Sequence, residues 1–302
     1  MHKKCSTSFV SLFFLAAFSG GCTNLGVEPS SFSASNITNS AVSDEKKMVD
    51  RVQVSFSLVD SHPVLYQPVI LRFVLRNGLE EAINFDLGEN YKSAFLFTLT
   101  SPDGKQRQLP QLISEGPSRI GKVRLNPEQI YSQDILVNEW TDLSKSGTYE
   151  LKGKLTNPLM EDNGTVLAVD SGFSVTLEIR PEDPKRLEDI CDALLKRIDE
   201  SRSYTDASEA ALALSHVRNA VAVPYLERAL ASNKMVEPVI INSLKDWDGH
   251  VAVDVLIGGL RQKPNSDWSD LAKSALQSIE MKSPDQQLKR RINQFLTTGR
   301  SN

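Results

Sequence analysis

The spacing of apolar residues changes between residues 180 and 184, and this change restricts the possible folds more than any other feature. Before it, apolar and polar residues alternate, as at Phe173 and Val175. After it, apolar residues recur every three or four positions, as at Leu187 and Cys191. Alternation is typical of half-buried strands, and the longer spacing is typical of amphipathic helices. The sequence therefore predicts a strand region followed by a helical region, joined by a stiff linker at 180–184 that contains two prolines.

The strand region, predicted to span residues 48–180, contains seven or eight short alternating runs, on the usual criteria for strands. Turn signals such as Asn77-Gly78 and Asn163-Gly164 separate the runs. Parallel strands need long crossover connections, which are usually helical, and no helical segment separates these runs. The sequence therefore predicts an antiparallel β-sandwich, in which two sheets cover each other's apolar faces.

Two resemblances bear on the strand region. Residues 143–149, which end in Gly147-Thr148-Tyr149, resemble the approach to a late strand in immunoglobulin-like sandwiches. In those proteins a tyrosine hydroxyl forms a hydrogen bond to the backbone at the sheet corner. The layout of strands and turns is also similar to the small all-β domain of the BsuPI proteinase-inhibitor family, although no specific motif is shared. This second resemblance implies an inhibitory loop, for which residues 110–121 are the candidate.

The helical region, predicted to span residues 185–300, contains an internal repeat. Residues 222–230 and 252–260 align at an offset of 30 positions, and Leu214 aligns with Leu244 at the same offset. Each unit is predicted to consist of a helix, a short turn and a second helix, and such units bury their apolar faces by stacking. This pattern resembles the short HEAT-type repeats of many bacterial proteins. The fold class expected for the whole chain is therefore a β-sandwich followed by an α-solenoid of helix pairs.

The first 21 residues have the three parts of a secretory signal: the positive Lys3-Lys4, an apolar run at 9–18, and the small residues 19–21. The apolar run is shorter than the roughly 20 residues of a membrane-spanning helix. The sequence up to Cys22 resembles the lipobox of bacterial lipoproteins, except that Ser19 stands where an aliphatic residue is usual. The resemblance implies that Cys22 is lipidated, with ordinary cleavage and free secretion as the alternative.

The lipobox resemblance also implies a location. Residues 22–47 are rich in Ser, Asn and Thr, so they are predicted to be a flexible tether between the membrane and the strand region. The protein is therefore expected to be lipid-anchored in the bacterial cell envelope. Thr23 follows the cysteine where a retention aspartate would stand in enteric bacteria, and this favours the outer membrane if the cell is Gram-negative.

Several function classes are disfavoured by composition and motifs. The formal net charge is −4, which does not suit nucleic-acid binding. His62, His216 and His250 do not have the spacing of metal ligands, and no cofactor-binding loop or nucleophile motif occurs. The sequence therefore predicts no metal, no cofactor and no enzymatic activity. Cys191 occupies an apolar position of a helix and is predicted to be a buried, inert thiol.

We predict a binding or scaffolding protein whose partner is a protein or a peptide. Trp247 and Trp268 lie near helix ends at successive repeat turns, so they form a partner-binding patch if both are exposed on one edge. The alternative is that these two indoles fill gaps between helices. Two other functions stay open: an envelope protease inhibitor of the BsuPI type, and a hydrolase with an unrecognised site. The sequence carries no feature that fixes an oligomeric state.

Overall fold

The computed structural model describes residues 51–88, 91–112, 121–232, 235–245, 247, 249–264 and 266–298. The predictions for the signal peptide, for Cys22 and for the tether lie outside these residues. The strands are β1 (Val52–Leu58), β2 (Ile70–Asn77), β3 (Ile83–Asp86), β4 (Phe95–Thr100), β5 (Gln106–Gln108), β6 (Lys122–Leu125), β7 (Ile130–Leu136), β8 (Gly147–Leu155), β9 (Leu159–Glu161), β10 (Val166–Leu167) and β11 (Phe173–Ile179). The α-helices are α1 (Pro184–Glu200), α2 (Tyr204–Ser215), α3 (Val223–Ala231), α4 (Glu237–Leu244), α5 (Gly249–Gln262), α6 (Ser269–Lys282) and α7 (Gln286–Thr298).

The strands form three small sheets rather than the two of the predicted sandwich. Their strand orders are β1-β2-β7, β10-β9-β3-β6 and β11-β8-β4-β5. Every strand pair is antiparallel, as the sequence predicted. The β6–β7 hairpin divides between two sheets, because β6 pairs with β3 whereas β7 pairs with β2.

A buried asparagine separates the first sheet from the second. Asn77 ends β2, and its side-chain amide donates to the carbonyl oxygens of Glu81 at 2.8 Å and Leu125 at 3.0 Å. Its Oδ1 accepts from the backbone N–H of Leu79 at 3.0 Å. These bonds satisfy backbone groups that a continuous ladder would otherwise pair, so the chain can turn into a new sheet without unpaired buried groups. Gly78 is required at the corner, because a Cβ there would lie 2.6 Å from the Arg51 carbonyl oxygen.

The core of the strand region is rich in aromatic rings. Phe73 and Phe95 are fully buried and pack edge to face with their centroids 5.4 Å apart. Trp140 packs perpendicular to Phe97 at 5.1 Å, so it closes one side of this core. The hydroxyl of Tyr149 donates to the Lys145 carbonyl oxygen at 3.0 Å, which confirms the local tyrosine contact although the sandwich prediction is wrong.

The seven α-helices of the described ranges pack in two layers. In one layer α1 contacts α3, α3 contacts α5, and α5 contacts α7; in the other, α2 contacts α4 and α4 contacts α6. The 30-residue repeat corresponds to this arrangement, because it relates α2 to α4 and α3 to α5. Gly258 and Gly259 bring α3 and α5 close together, since a Cβ on Gly259 would lie 3.1 Å from side-chain atoms of both Leu230 and Trp268.

The loop from residue 59 to 67 joins the strand region to the helical region. Val64 lies in the hydrophobic core of the helices, and it forms a parallel bridge with Arg180. The Arg186 guanidinium of α1 forms an ion pair with Asp60 of the loop. Residues 180–184 are therefore held by pairing rather than acting as a free spacer, and Asp183 caps α1 by accepting from the Arg186 N–H at 3.1 Å.

The predicted fold class is wrong, because the strands in the described ranges form three sheets, which overturns the two-sheet immunoglobulin-like sandwich. A loop of the strand region also contributes Val64 to the helical core. The general order of strands followed by helices agrees with the prediction. None of the helices in the described ranges is long and apolar enough to cross a membrane.

Candidate functional site

A cleft of about 870 Å³ lies between the last strand of the first sheet and the second helix, and we call it the β7–α2 cleft. Its size is within the range of typical ligand sites. The lining residues are Tyr91, Lys92, Leu112, Tyr131, Gln133, Asn138, Glu139, Tyr204, Thr205, Ser208, Glu209, Leu212, His216, Arg218, Val239, Asn242 and Ser243. The cleft therefore combines tyrosine rings with amide, hydroxyl and charged groups.

A buried ion pair lies in the wall of the cleft. Glu139 belongs to the 3₁₀ turn Val137–Glu139 that directly follows β7, and its side chain is only 7% exposed. Lys92 forms an ion pair with this carboxylate, and the Tyr91 hydroxyl donates to it at a long 3.4 Å. Burial raises the pKa of Glu139 above its ordinary value, although Lys92 and Tyr91 oppose the rise. Burial, and then the charge of Glu139, raise the pKa of Tyr91, so its phenol stays neutral.

Helix α2 supplies the opposite wall. Tyr204, Ser208 and Leu212 are spaced by four residues and therefore lie along one stripe of the helix, which continues to His216 at its end. The stripe is about 18 Å long, at 1.5 Å per helical residue. These side chains line the cleft, while alanines such as Ala211 pack into the helical core.

Glu209 supplies a carboxylate to this wall. Burial raises the pKa of its carboxyl; Arg197 opposes the rise, and the charges of Asp134 and Asp206 add to it. The charge of Glu209 also contributes to the raised pKa of Tyr131, after burial, which is the larger cause. The Arg197 guanidinium lies 3.3 Å from Glu209 but is also bonded to Asp206. Glu209 therefore shares the Arg197 guanidinium with Asp206, and its charge also acts across the cleft on Tyr131 of β7.

Strand β7 carries the other wall. Tyr131 and Gln133 alternate with the outward-facing Ser132, and both line the cleft. The Tyr131 hydroxyl donates to Gln133 Oε1 at 3.3 Å, and Gln133 Nε2 donates to the Asp134 carbonyl oxygen at 2.9 Å. The Tyr131 ring packs edge to face with Phe85 at 5.2 Å. The wall is therefore fixed by side-chain contacts before any ligand binds.

The described ranges contain no group of three or more His, Cys, Asp or Glu side chains that could hold a metal ion. His62 interacts with Glu178 at 3.6 Å, and His250 with Asp285 at 2.9 Å. Neither of these histidines lines the β7–α2 cleft. Arg218, at the far end of the α2 stripe, lies 3.5 Å from Asp142. The arrangement is thus suited to hydrogen bonding and to contact with aromatic rings.

Comparisons with known proteins identify no family for this chain. No family model matches it, and no curated protein matches it. Among solved structures, the structural genomics target SoR45 is 13% identical over 42% of this chain and 81% of that chain, with a TM-score of 0.21. Spo0M, a sporulation control protein from Bacillus subtilis, is 10% identical over 48% of this chain and 56% of its own, with a TM-score of 0.25. The Pseudomonas fluorescens DNA glycosylase AlkC is 12% identical over 43% of this chain and 30% of its own, with a TM-score of 0.22. Similarities this low carry no argument.

The residues singled out from the sequence lie elsewhere. Trp247 and Trp268 are 6% and 7% exposed and belong to the hydrophobic core of the helices, so they offer no exposed patch on one edge. Residues 113–120 of the candidate inhibitory loop lie outside the described residues. Cys191 is fully buried as predicted, and burial raises the pKa of its thiol to about 12.

Sequence reasoning missed the cleft residues. Glu139 and Glu209 are about 70 positions apart, and no spacing rule links residues of a strand region to those of a helical region. One signal was present on β7. The alternating positions Ile135 and Val137 are apolar, but the same face carries Tyr131 and Gln133. When the core-facing residues of a strand change from apolar to polar towards one end, that end of the strand is expected to lie beside a cleft.

Proposed function

We propose that this protein is a lipid-anchored binding protein of the bacterial cell envelope, and that its β7–α2 cleft holds a peptide segment of a partner protein. The supporting observation is the lining of the cleft, in which tyrosines, amides and hydroxyls surround the ion pairs of Lys92 and Arg218 and the carboxylate of Glu209, which shares Arg197 with a second carboxylate. Tyrosine supplies contact area at low entropic cost, and small polar side chains supply adaptable hydrogen bonds, as in antibody paratopes.

The dimensions of the cleft favour an extended peptide. The α2 stripe from Tyr204 to His216 spans about 18 Å, and β7 from Tyr131 to Leu136 spans about 17 Å. Roughly five residues of extended chain have this length. A cleft that is open along an edge strand therefore suits a segment of a larger protein, whose ends leave the cleft on both sides.

Peptide binding is tested by selecting ligands from a phage-displayed library of random octapeptides and measuring their affinity by fluorescence anisotropy. Tyr204→Ala removes a ring that is 56% exposed and lines the cleft, so folding is little affected. We expect it to weaken binding at least fivefold. Met281→Ala is the matched control, because it removes a side chain that is 77% exposed and lies outside the cleft. Failure to select any peptide, or equal affinities of both variants and the native protein, would contradict the proposal.

The anchor is tested separately by Cys22→Ser. If Cys22 carries the lipid, this variant moves from the membrane fraction to the soluble fraction, and labelling with a radioactive fatty acid is lost. Cys191→Ala is the matched control, because it also removes a cysteine, but one that is fully buried in the helical core. A Cys22→Ser protein that stays in the membrane fraction, or one that still incorporates the fatty acid, counts against the anchor.

One observation favours a second candidate, a hydrolase. The raised pKa of Glu139 allows its carboxyl to hold a proton closer to neutral pH, as a general acid must. The test is a screen of the purified protein against chromogenic esters, peptides and glycosides, together with Glu139→Gln. Turnover that Glu139→Gln abolishes supports the hydrolase, and absence of turnover across the panel opposes it.

A further inference from the structure

We infer that the bound peptide joins the first sheet as a fourth strand, by pairing with the outer edge of β7. This inference rests on the proposed function and specifies how the peptide is held. β7 is the last strand of its sheet, in the order β1-β2-β7. The strand borders the cleft, because the side chains of Tyr131 and Gln133 line it. Addition of a strand to an exposed edge is a recurring mode of peptide recognition.

The register of the sheet shows which backbone groups face the cleft. Along an antiparallel strand, one residue directs its backbone N–H and C=O to the strand on one side, and the next residue directs them to the opposite side. The Val137 N–H donates to the Val69 carbonyl oxygen at 2.9 Å, and the Asn77 N–H donates to the Gln129 carbonyl oxygen at 3.0 Å. The odd-numbered residues of β7 therefore form their backbone hydrogen bonds with β2. The even-numbered residues Ser132 and Asp134 direct their N–H and C=O groups outwards, away from β2.

These outward groups are open to a ligand. In the parts of the chain that the structure describes, the N–H and C=O of Ser132 and the N–H of Asp134 have no hydrogen-bond partner. The Asp134 carbonyl is capped by the Gln133 amide at 2.9 Å. The Asp134 side chain turns to Arg72 of β2 and accepts two hydrogen bonds of 2.7 and 2.9 Å, so it is held away from the outer edge of the strand. The edge thus presents two donors and one acceptor.

The edge of β7 also lacks three of the usual protections against strand pairing, which are lysine, proline and a bulge, and its one charged side chain, Asp134, is bonded to Arg72. Edge strands are commonly blocked by lysine, proline, a bulge or a twist. β6, at the edge of the second sheet, carries Lys122 and Arg124. β7 contains neither lysine nor proline, and its pairing with β2 runs without a bulge from Ile130 to Leu136. An unpaired edge of this length, on a strand that borders a cleft, can accept one further strand.

The wall opposite determines which side chains fit. Leu212 and Glu209 of α2 line the cleft opposite Tyr131 of β7. The charge of Glu209 contributes to the raised pKa of Tyr131, and the charge of Asp134 contributes to the raised pKa of Glu209. Because Arg197 is shared between Glu209 and Asp206, the wall carries a negative charge that is only partly compensated. Alternate residues of a strand point the same way. We therefore expect the peptide to place a basic and an apolar residue two positions apart.

The decisive variant is Ser132→Pro, with Ser132→Ala as its matched control. Proline removes the outward N–H and costs no ladder bond to β2, and edge strands tolerate proline at such positions. The probe is the octapeptide selected from the phage library. We expect Ser132→Pro to weaken its binding at least tenfold and Ser132→Ala to change it less than twofold. Circular dichroism and thermal unfolding show whether the proline variant is folded.

A second measurement does not depend on any variant. In the native protein, amide hydrogen exchange at Ser132 and Asp134 should slow at least tenfold when the octapeptide is bound. A peptide N-methylated at the residues that pair with β7 should bind at least tenfold more weakly. Unchanged exchange at both amides, together with full affinity of the methylated peptide, overturns strand addition and leaves peptide binding intact. Failure to select any peptide overturns the proposed function itself.

Discussion

The two regions of this protein build their cores from different side chains. Every close pair of aromatic rings in the described residues joins side chains of the strand region. The core of the helices consists mainly of leucine, isoleucine, valine and alanine, with Ala211, Ala229 and Ala252 fully buried. Small side chains let helices approach each other, whereas large rings fill the irregular space between three small sheets.

This difference indicates where each region is sensitive to substitution. When a ring between the sheets is removed, the sheets cannot move together to close the cavity, because hydrogen-bonded ladders are rigid. In the helical region the tight positions are the small residues, so damage comes from added volume rather than from lost volume. The following predictions test this contrast, starting with the largest expected effect.

Phe73→Ala should have the largest effect. Phe73 is fully buried and contacts the rings of Phe56 and Phe95 at 5.1 and 5.4 Å, so its removal leaves a cavity between sheets. We expect the free energy of unfolding to fall by about 3 to 5 kcal/mol, measured by urea denaturation. Phe73→Leu is the control and should lose about 1.5 kcal/mol or less, because it preserves most of the volume. Equal losses of stability in both variants would show that the strand region is not especially sensitive to lost ring volume.

Asn77→Ala tests the polar corner between two sheets. The substitution removes three hydrogen bonds and leaves the carbonyls of Glu81 and Leu125 without their donor. We expect a loss of about 2 to 3 kcal/mol, because buried backbone groups become unsatisfied. Asn126→Ala, in the exposed β6–β7 turn, is the control and should change stability by about 0.5 kcal/mol or less. A loss as small as that of the control would show that the corner does not depend on Asn77.

Asp60→Asn tests whether the two regions unfold together. Burial raises the pKa of Asp60, but hydrogen bonds from the His62 N–H, Gln67 and Arg186 outweigh it, so the pKa lies below its ordinary 3.8. The stabilisation by the ionised carboxylate is therefore present above pH 3.8 and is lost as the pH falls through the lowered pKa. We expect a loss of about 1 kcal/mol at pH 7, and no difference from the native protein well below pH 3.8.

The measurement for Asp60→Asn is urea unfolding in a background with Trp247→Phe and Trp268→Phe, followed by two signals. Far-ultraviolet circular dichroism reports mainly the helices, and the fluorescence of Trp140 reports the strand region. Both signals should shift together, because Val64 ties the loop to the helical core. A shift of one signal alone would mean that the strand and helical regions unfold independently. A loss that persists unchanged at low pH would contradict the role given to the Asp60 charge.

Gly258→Ala and Gly259→Ala should have the smallest effects, and they test the helical side of the contrast. A Cβ on Gly258 meets only the flexible carboxylate end of Glu227, so the higher helix propensity of alanine should stabilise by about 0.5 kcal/mol. A Cβ on Gly259 lies 3.1 Å from the buried Leu230 and Trp268, so the gain should vanish or reverse. Thermal unfolding measures both. A larger gain at Gly259 would show that the interface between α3 and α5 is loose.

The sequence by itself determined the local order of the chain. Alternation at Phe173 and Val175 specifies a strand, because successive side chains point to opposite faces, and the spacing from Leu187 to Cys191 specifies a helix. The 30-residue repeat specified which helices would be equivalent. The burial of Cys191 followed in the same way, because a thiol on the apolar stripe of a helix faces the core. All of these properties depend on neighbours that are close along the chain.

The tertiary structure alone decided the number of sheets and the site. Asn77 reads as an ordinary turn residue, and only its contacts with Leu125 show that it separates two sheets. The β7–α2 cleft brings Tyr131 and Glu139 opposite Glu209, and no local period connects these residues. Pairing between strands and packing of strands against helices are long-range contacts. Which strands pair and which helices pack against them depends on how all apolar faces are buried together. The pattern of residues close along the chain does not carry this information.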